Sequence, residues 1–275
     1  MSFLNNYIKK INIKIPQVEK KESYAFFNKT YLKLYGKKFK KKLYEVNNAV
    51  FLDKSEEPYV PEYLDLMFLY KLIILNKRLT VLEFGSGYSS LFFNLALEEV
   101  KKKYFKYTKK FRAHNKFEIF ILENENKYLK TTKQRIDKAN FKKSVKVNYL
   151  LSEVKMSSYN NIICTEYLKL PLCNPDFIYL DGPDQFNIKN KVNNITTAHE
   201  DFMPMVSDLL KIEFFLVPGT IIVADGRAAN VQFLIKNFKR EWLYYYHKST
   251  DMYLMYLNAP SLGLSNNNRL KFYNN

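Results

Sequence analysis

Glu83-Phe84-Gly85-Ser86-Gly87 places a carboxylate two residues ahead of a glycine pair, and this stretch is the part of the chain best suited to hold a ligand. Val81, Leu82 and Phe84 form a short apolar run that predicts a buried strand over residues 80–84. Glycine at 85 and 87 permits a tight turn with positive φ and leaves no Cβ to hold a ligand away. Residues 89–103 read as a helix, with Ser89 or Ser90 as its cap. Strand, glycine turn and helix start together aim backbone N–H groups at a bound group. Any tight strand-to-helix turn favours glycine, so the pattern alone does not name the ligand.

Other reactive side chains fall at the ends of further apolar runs. Glu123 follows 117–122, Ser152-Glu153 follows 145–150, Asp181-Gly182-Pro183 follows 177–180, and Asp225-Gly226-Arg227 follows 220–224. An ionised carboxylate accepts from hydroxyls, and a positioned one serves as a general base. The base candidates are Asp181, Asp184, His199 and Asp225. Each has a plainer reading as well. Glu123 also suits the N-terminal end of the helix that follows it. His199 equally suits a surface position at the start of a helix over 199–216. Arg227 is either a clamp for an anionic group or a surface ion-pair partner.

Strands alternating with helices from residue 78 onward predict an α/β domain with a mostly parallel sheet. Its ligands should gather beyond the carboxyl ends of the strands. Residues 62–76 read as a helix in front of that domain, 126–139 and 231–238 as helices within it, and 242–246 with 252–257 as a closing antiparallel pair. The spans 152–175 and 184–195 read as irregular excursions. Residues 1–60 are expected to form a helical extension, 61–260 the main domain, and 261–275, rich in asparagine, a flexible tail.

The 275 residues carry a formal net charge of +17, which invites an anionic partner. The basic stretches are 37–42 and 101–112. Abundant Lys, Asn, Ile, Tyr and Phe also match the codon usage of AT-rich genomes, which explains the charge as solvated faces. Cys164 and Cys173 have no metal-type spacing and form no disulfide framework. With no apolar stretch of signal-peptide or bilayer length, a cytoplasmic protein without a membrane span is expected.

Residues 81–90 and 177–183, taken as a pair, resemble class I S-adenosylmethionine (SAM) methyltransferases of the bacterial small-molecule and glycan-associated type. The resemblance covers 78–257. It implies a Rossmann-like fold with a seven-stranded, mostly parallel sheet, an antiparallel closing strand and an N-terminal helical extension. By the family pattern Glu83, Gly85, Ser86, Gly87, Tyr88 and Ser89 hold the methionine part of SAM. Glu123, with Asn124, takes the ribose, Ser152 or Glu153 lies near the adenine, and Asp181-Gly182 faces donor and acceptor. Asp181, His199 and Asp225 are the catalytic candidates. Catechol-type relatives follow the last aspartate with asparagine. Gly226-Arg227 stands here instead, so no metal is assigned, although a divalent ion on Asp181 and Asp225 remains the alternative.

The implied activity is O-methylation of a small molecule or saccharide. The rivals are an RNA methyltransferase using the basic stretches and a methyltransferase-like protein that binds without turnover. A nicotinamide oxidoreductase fits poorly, because Ser90 breaks the G-x-G-x-x-G fingerprint and Glu123 comes late for a ribose carboxylate. Gly85→Ala or Gly87→Ala is expected to abolish SAM binding in a protein that stays folded.

Overall fold

All five residues of β1 (Thr80–Phe84) are buried, as a central parallel strand covered on both faces requires. In this computed structural model, which describes residues 13–36, 62–139 and 141–275, β1 lies between β2 (Glu118–Glu123) and β6 (Phe177–Leu180), parallel to both. The sheet has seven strands in the order β3-β2-β1-β6-β7-β9-β8. β3 (Lys146–Leu151) and β7 (Ile221–Asp225) extend the parallel part, and β9 (Met252–Leu257) runs antiparallel to both β7 and β8 (Trp242–His247). This is the Rossmann-like, methyltransferase-type arrangement expected from the sequence, antiparallel strand included. Strand order reverses at β1/β6, which places the crevice beyond the tips of β1, β2, β6 and β7.

The two faces of the sheet are covered differently. One carries α1 (Lys20–Tyr35), α2 (Tyr63–Leu75), α3 (Tyr88–Thr108), α4 (Asn126–Lys138) and α7 (Leu264–Asn274), which share a core containing Phe27, Phe68, Phe92 and Phe272. The other carries a hairpin, the short helix α5 (Asp208–Ile212) and α6 (Ala228–Asn237), around Leu82, Met156, Leu209 and Val231. α1 is built into the main core through Phe27 and Leu34. The basic stretch 37–42 and the connector 55–61 lie outside the described residues.

Three stretches differ from the sequence reading. The excursion after Ser152 holds the hairpin β4 (Val154–Tyr159) and β5 (Ile162–Tyr167). Its two-residue turn, Asn160-Asn161, has φ of 49° and 64°, the left-handed pair that suits a type I′ hairpin and that asparagine tolerates. The helix expected over 199–216 is reduced to α5 and a 3₁₀ turn at Glu213–Phe215. Pro204 interrupts it by removing a donor and pushing Met203 away from helical geometry. The chain around it instead bonds to the hairpin edge through Thr165 N to Met205 O (2.9 Å) and Ser207 N to Thr165 O (2.9 Å).

The third is residues 261–275, which are not a frayed tail. α7 buries Asn266, Arg269, Phe272 and Tyr273. Asp176, fully buried, accepts from Leu79 N, Thr80 N and Tyr273 Oη, and Arg269 lies 3.4 Å from it. The helix was hidden because the residues that dock it are largely polar. This network secures the starts of β1 and β6, the end opposite the crevice. Tyr273→Phe removes the hydroxyl between Arg269 and Asp176 and is expected to cost about 1–2 kcal/mol in urea unfolding.

Candidate active site

Side chains alternate along β1, so Val81 and Glu83 share the face on which α3 begins. Glu83, 1% exposed, accepts from Ser89 Oγ and Ser90 Oγ, both at 2.5 Å. The carboxylate is thus a brace under the glycine turn, tying the end of β1 to the first turn of α3. Ser89 and Ser90 lie inside the helix, and Gly87 is its N-cap. Burial pushes the Glu83 carboxyl up to about 8 against the pull of the two serines.

The two glycines of the turn have different functions. Gly85 has φ +96°, and a Cβ there would lie 3.0 Å from Gly182 N. Gly182 returns the contact: its Cβ would meet Gly85 N at 2.5 Å and Gly85 Cα at 2.8 Å. The tips of β1 and β6 touch backbone to backbone, and neither position has room for a side chain. Gly87 has φ −173°, extended backbone open to any residue, with space around it. Positive φ is therefore confined to Gly85 within the pair. Gly85→Ala strains the fold itself, which corrects the expectation of a folded, non-binding variant; Gly87 is the position that probes ligand approach.

At the tip of β2, Glu123 is 3% exposed and accepts from Ser86 Oγ (2.7 Å), Asn124 N (2.8 Å) and Glu125 N (2.9 Å). Burial raises its pKa in spite of these donors. Asn124 Oδ1 accepts from Asp184 N (2.9 Å), linking the β2 and β6 tips, while its buried Nδ2 has no partner among the described residues. Ser152 Oγ accepts from Lys169 N (2.9 Å), so its hydroxyl fastens the end of β3 to the chain leaving the hairpin.

Asp225 ends β7 and accepts from Tyr179 Oη (2.8 Å). Its pKa is raised, by burial first and by Glu62 and Asp251, against the Tyr179 bond and Arg227. Asp181, on the β6 tip, keeps solvent contact. Enclosing protein and the Asp225 charge raise its pKa, Arg227 opposes, and solvent access limits the shift. Arg227 donates to the backbone oxygens of Asp181 and, at 3.4 Å, Pro183, so its guanidinium clamps the β6 loop.

The structure places Asp181 and Asp225 at the ends of the paired strands β6 and β7, whereas Asp184 and His199 lie on loops outside the sheet. Asp184 Oδ2 is occupied by Phe186 N, Asn187 N and Asn187 Nδ2. His199 opens no helix: it sits in an exposed loop, its Nδ1 accepting from Asp201 N (3.2 Å).

Beside Asp225 opens a cavity of about 550 Å³ between the starts of α1 and α2 and the turn 248–251. Glu62, Asp65 and Asp251 line it together with Asp225. Of these, sequence reasoning singled out only Asp225. A carboxylate at 65 inside an otherwise apolar helical run was the available signal, as was Tyr179, two residues before Asp181 on the same strand. Among the described residues no group of His, Cys, Asp and Glu is arranged to hold a metal ion, and no helix is long and apolar enough to cross a membrane.

Asp65, 6% exposed, is pushed up to about 9 by burial and by the Glu62, Asp225 and Asp181 charges. Asp65 and Glu83 both have raised folded-state pKa values, so the folded protein keeps protons that the unfolded chain releases near pH 4. Their stabilisation is complete in acid and is lost as pH rises through about 8 to 9. Thermal unfolding should occur at lower temperature at pH 9 than at pH 6. Asp65→Asn should flatten that slope; an unchanged slope would contradict the assignment.

No family model matches the chain, and no curated protein does. Solved structures similar to it include an O-methyltransferase from Bacillus cereus in complex with SAH (S-adenosylhomocysteine). That chain is 17% identical, with 78% of this chain and 88% of that one covered and a TM-score of 0.38. Another is the O-methyltransferase TomG from Streptomyces achromogenes, involved in tomaymycin synthesis and in complex with SAM. It is 13% identical, with 89% and 100% covered and a TM-score of 0.41.

Proposed function

We propose that the chain is a SAM-dependent methyltransferase that methylates a hydroxyl oxygen of a small molecule or saccharide. The observation that carries this reading is the juxtaposition at the switch point. A glycine turn with room at Gly87, a buried carboxylate at the neighbouring β2 tip, and a carboxylate-lined cavity at the β7 tip all lie at the carboxyl end of one sheet.

The residues fit the cofactor. Ser86 and the two glycines beside it, 85 and 87, which lack a Cβ, offer backbone at the start of α3 to the amino-acid end. Glu123 is where a diol can bind by replacing the Ser86 hydroxyl on its oxygen. Asn124 Nδ2 beside it, without a partner among the described residues, is a buried donor awaiting an acceptor. Glu83, Tyr88 and Ser89 set the turn, Ser152 and Gly182 set the flanking tips, and Asp181 follows β6, the strand between that of the turn and that of Asp225. When bound, SAM supplies an electrophilic methyl carbon with a neutral thioether as leaving group.

The chain supplies position and a base. Asp225, facing the cavity and oriented by Tyr179, accepts the proton of the acceptor hydroxyl as its oxygen bonds the methyl carbon. Arg227 holds the β6 loop, and so Asp181, against the β7 tip. A carboxylate with raised pKa is a stronger base once ionised. The rate should therefore rise with pH through a value above the ordinary carboxylate range.

The RNA alternative rests on the basic stretch at the end of α3. There Lys103, Lys109 and Lys110 lie over Tyr104, Phe105 and Tyr107 of the same segment, which supports a solvated face. Incubation with methyl-labelled SAM and a fractionated cell extract separates the readings. Label should enter the small-molecule or saccharide fraction with release of SAH. Label confined to RNA, or no SAH at all, would contradict the proposal.

A further inference from the structure

On a chain of net charge +17, the cavity beside Asp225 has the opposite character. Glu62, Asp65, Asp225 and Asp251 line it against Lys20 and Lys248, and none of the four acids forms an ion pair among the described residues. Asp65 is the most telling. It is more than nine-tenths buried, lines the cavity together with the exposed Glu62, and accepts from no N–H or O–H group among the described residues.

A buried carboxyl with other carboxyls around its cavity must keep a proton or face a cation, because burial and neighbouring negative charge both oppose its ionisation. Tyr179 and Tyr246 satisfy Asp225 and Asp251; nothing comparable satisfies Asp65. The acids are close enough to perturb one another yet not arranged as a metal-binding group. Such a lining suits an organic ammonium group, whose N–H donors need hydrogen-bond acceptors around them and no fixed coordination geometry.

We infer that this cavity is the acceptor pocket and that Asp65 and Glu62 select an acceptor bearing a protonated amine, anchored there with its hydroxyl toward Asp225. The inference rests on the methyltransferase reading for the direction of the hydroxyl, but not for the binding of the amine.

The test is titration of the full chain with three probes of one scaffold: tyramine (cation), tyrosol (neutral) and 4-hydroxyphenylacetate (anion). A charge-assisted contact predicts tyramine binding about tenfold tighter than tyrosol, with the anion weakest. Asp65→Asn should erase that preference, and Asp251→Asn, on the opposite wall, should weaken it. Circular dichroism confirms that each variant is folded, and the second keeps the test valid if the first is not. Equal binding of the three probes, preference for the anion, or displacement of tyramine by stoichiometric magnesium would overturn the inference. A parallel SAH titration keeps the two claims apart. SAH binding without amine preference leaves the methyltransferase reading and removes this one. Amine preference without SAH binding does the reverse.

Discussion

Gly182→Ala should lower unfolding stability by about 3 kcal/mol or more, whereas Gly87→Ala should change it by only about 0.5 kcal/mol. The difference comes from what each new methyl group meets. At 182 the methyl meets the backbone of Gly85 and Phe84, at 2.5 to 2.9 Å. None of these atoms can swing away, because Gly85 N is bonded to Leu122 O and Phe84 O accepts from Asp181 N. The tips of β1 and β6 must separate, and with them the crevice. At 87 the nearest atom is Ser89 Oγ at 3.8 Å and the backbone is extended, so the fold accepts the methyl and only a ligand lying along the turn is excluded. Urea unfolding of the two variants, with SAH titration of Gly87→Ala, tests both halves. Equal stability of the two would contradict the packing of the tips. Full SAH affinity in Gly87→Ala would remove the turn from the site.

Asp225→Asn should reduce methyl transfer by about 10²–10⁴-fold while leaving SAH affinity near that of the unaltered protein. The amide keeps the size and still accepts from Tyr179, so the β7 tip is held, but it takes no proton at neutral pH. Its pH–rate profile should lose the rising limb that the raised carboxylate pKa gives the unaltered enzyme. A variant with full activity, or one with the rising limb intact, would move the base elsewhere, with Asp181 the next candidate. His199 is a weaker one, since its ring is exposed in a loop bonded to Asp201. His199→Ala should leave the rate within about twofold, because surface substitutions of this kind rarely matter.

The inner parallel strands β1, β2, β6 and β7 were legible because each is a short apolar run closed by glycine or acid, a pattern set by burial on both faces. The tips followed from them, and with them Glu123, Asp181 and Asp225. What stayed hidden depended on side-chain direction, polar composition or contacts distant in sequence. Glu83 was assigned to the methionine end of the cofactor, yet the face it shares with Val81 turns it toward Ser89 and Ser90. The hairpin β4–β5 was masked by its polar composition, although Asn160-Asn161 carried the turn signal. α7 was masked because Asn266 and Arg269 are buried by partners 48 and 93 residues away. The acidic cavity draws Glu62 and Asp65 from one end of the domain and Asp251 from the other, so no local window reveals it.

The most direct measurement of the central claim is calorimetric titration of the full chain with SAH, beside Glu123→Ala. The account predicts one site per chain in the unaltered protein. In the variant, where the diol loses its charged acceptor, affinity should be about 10- to 100-fold weaker. No heat of binding in the unaltered protein, or equal affinity in the two, would contradict it.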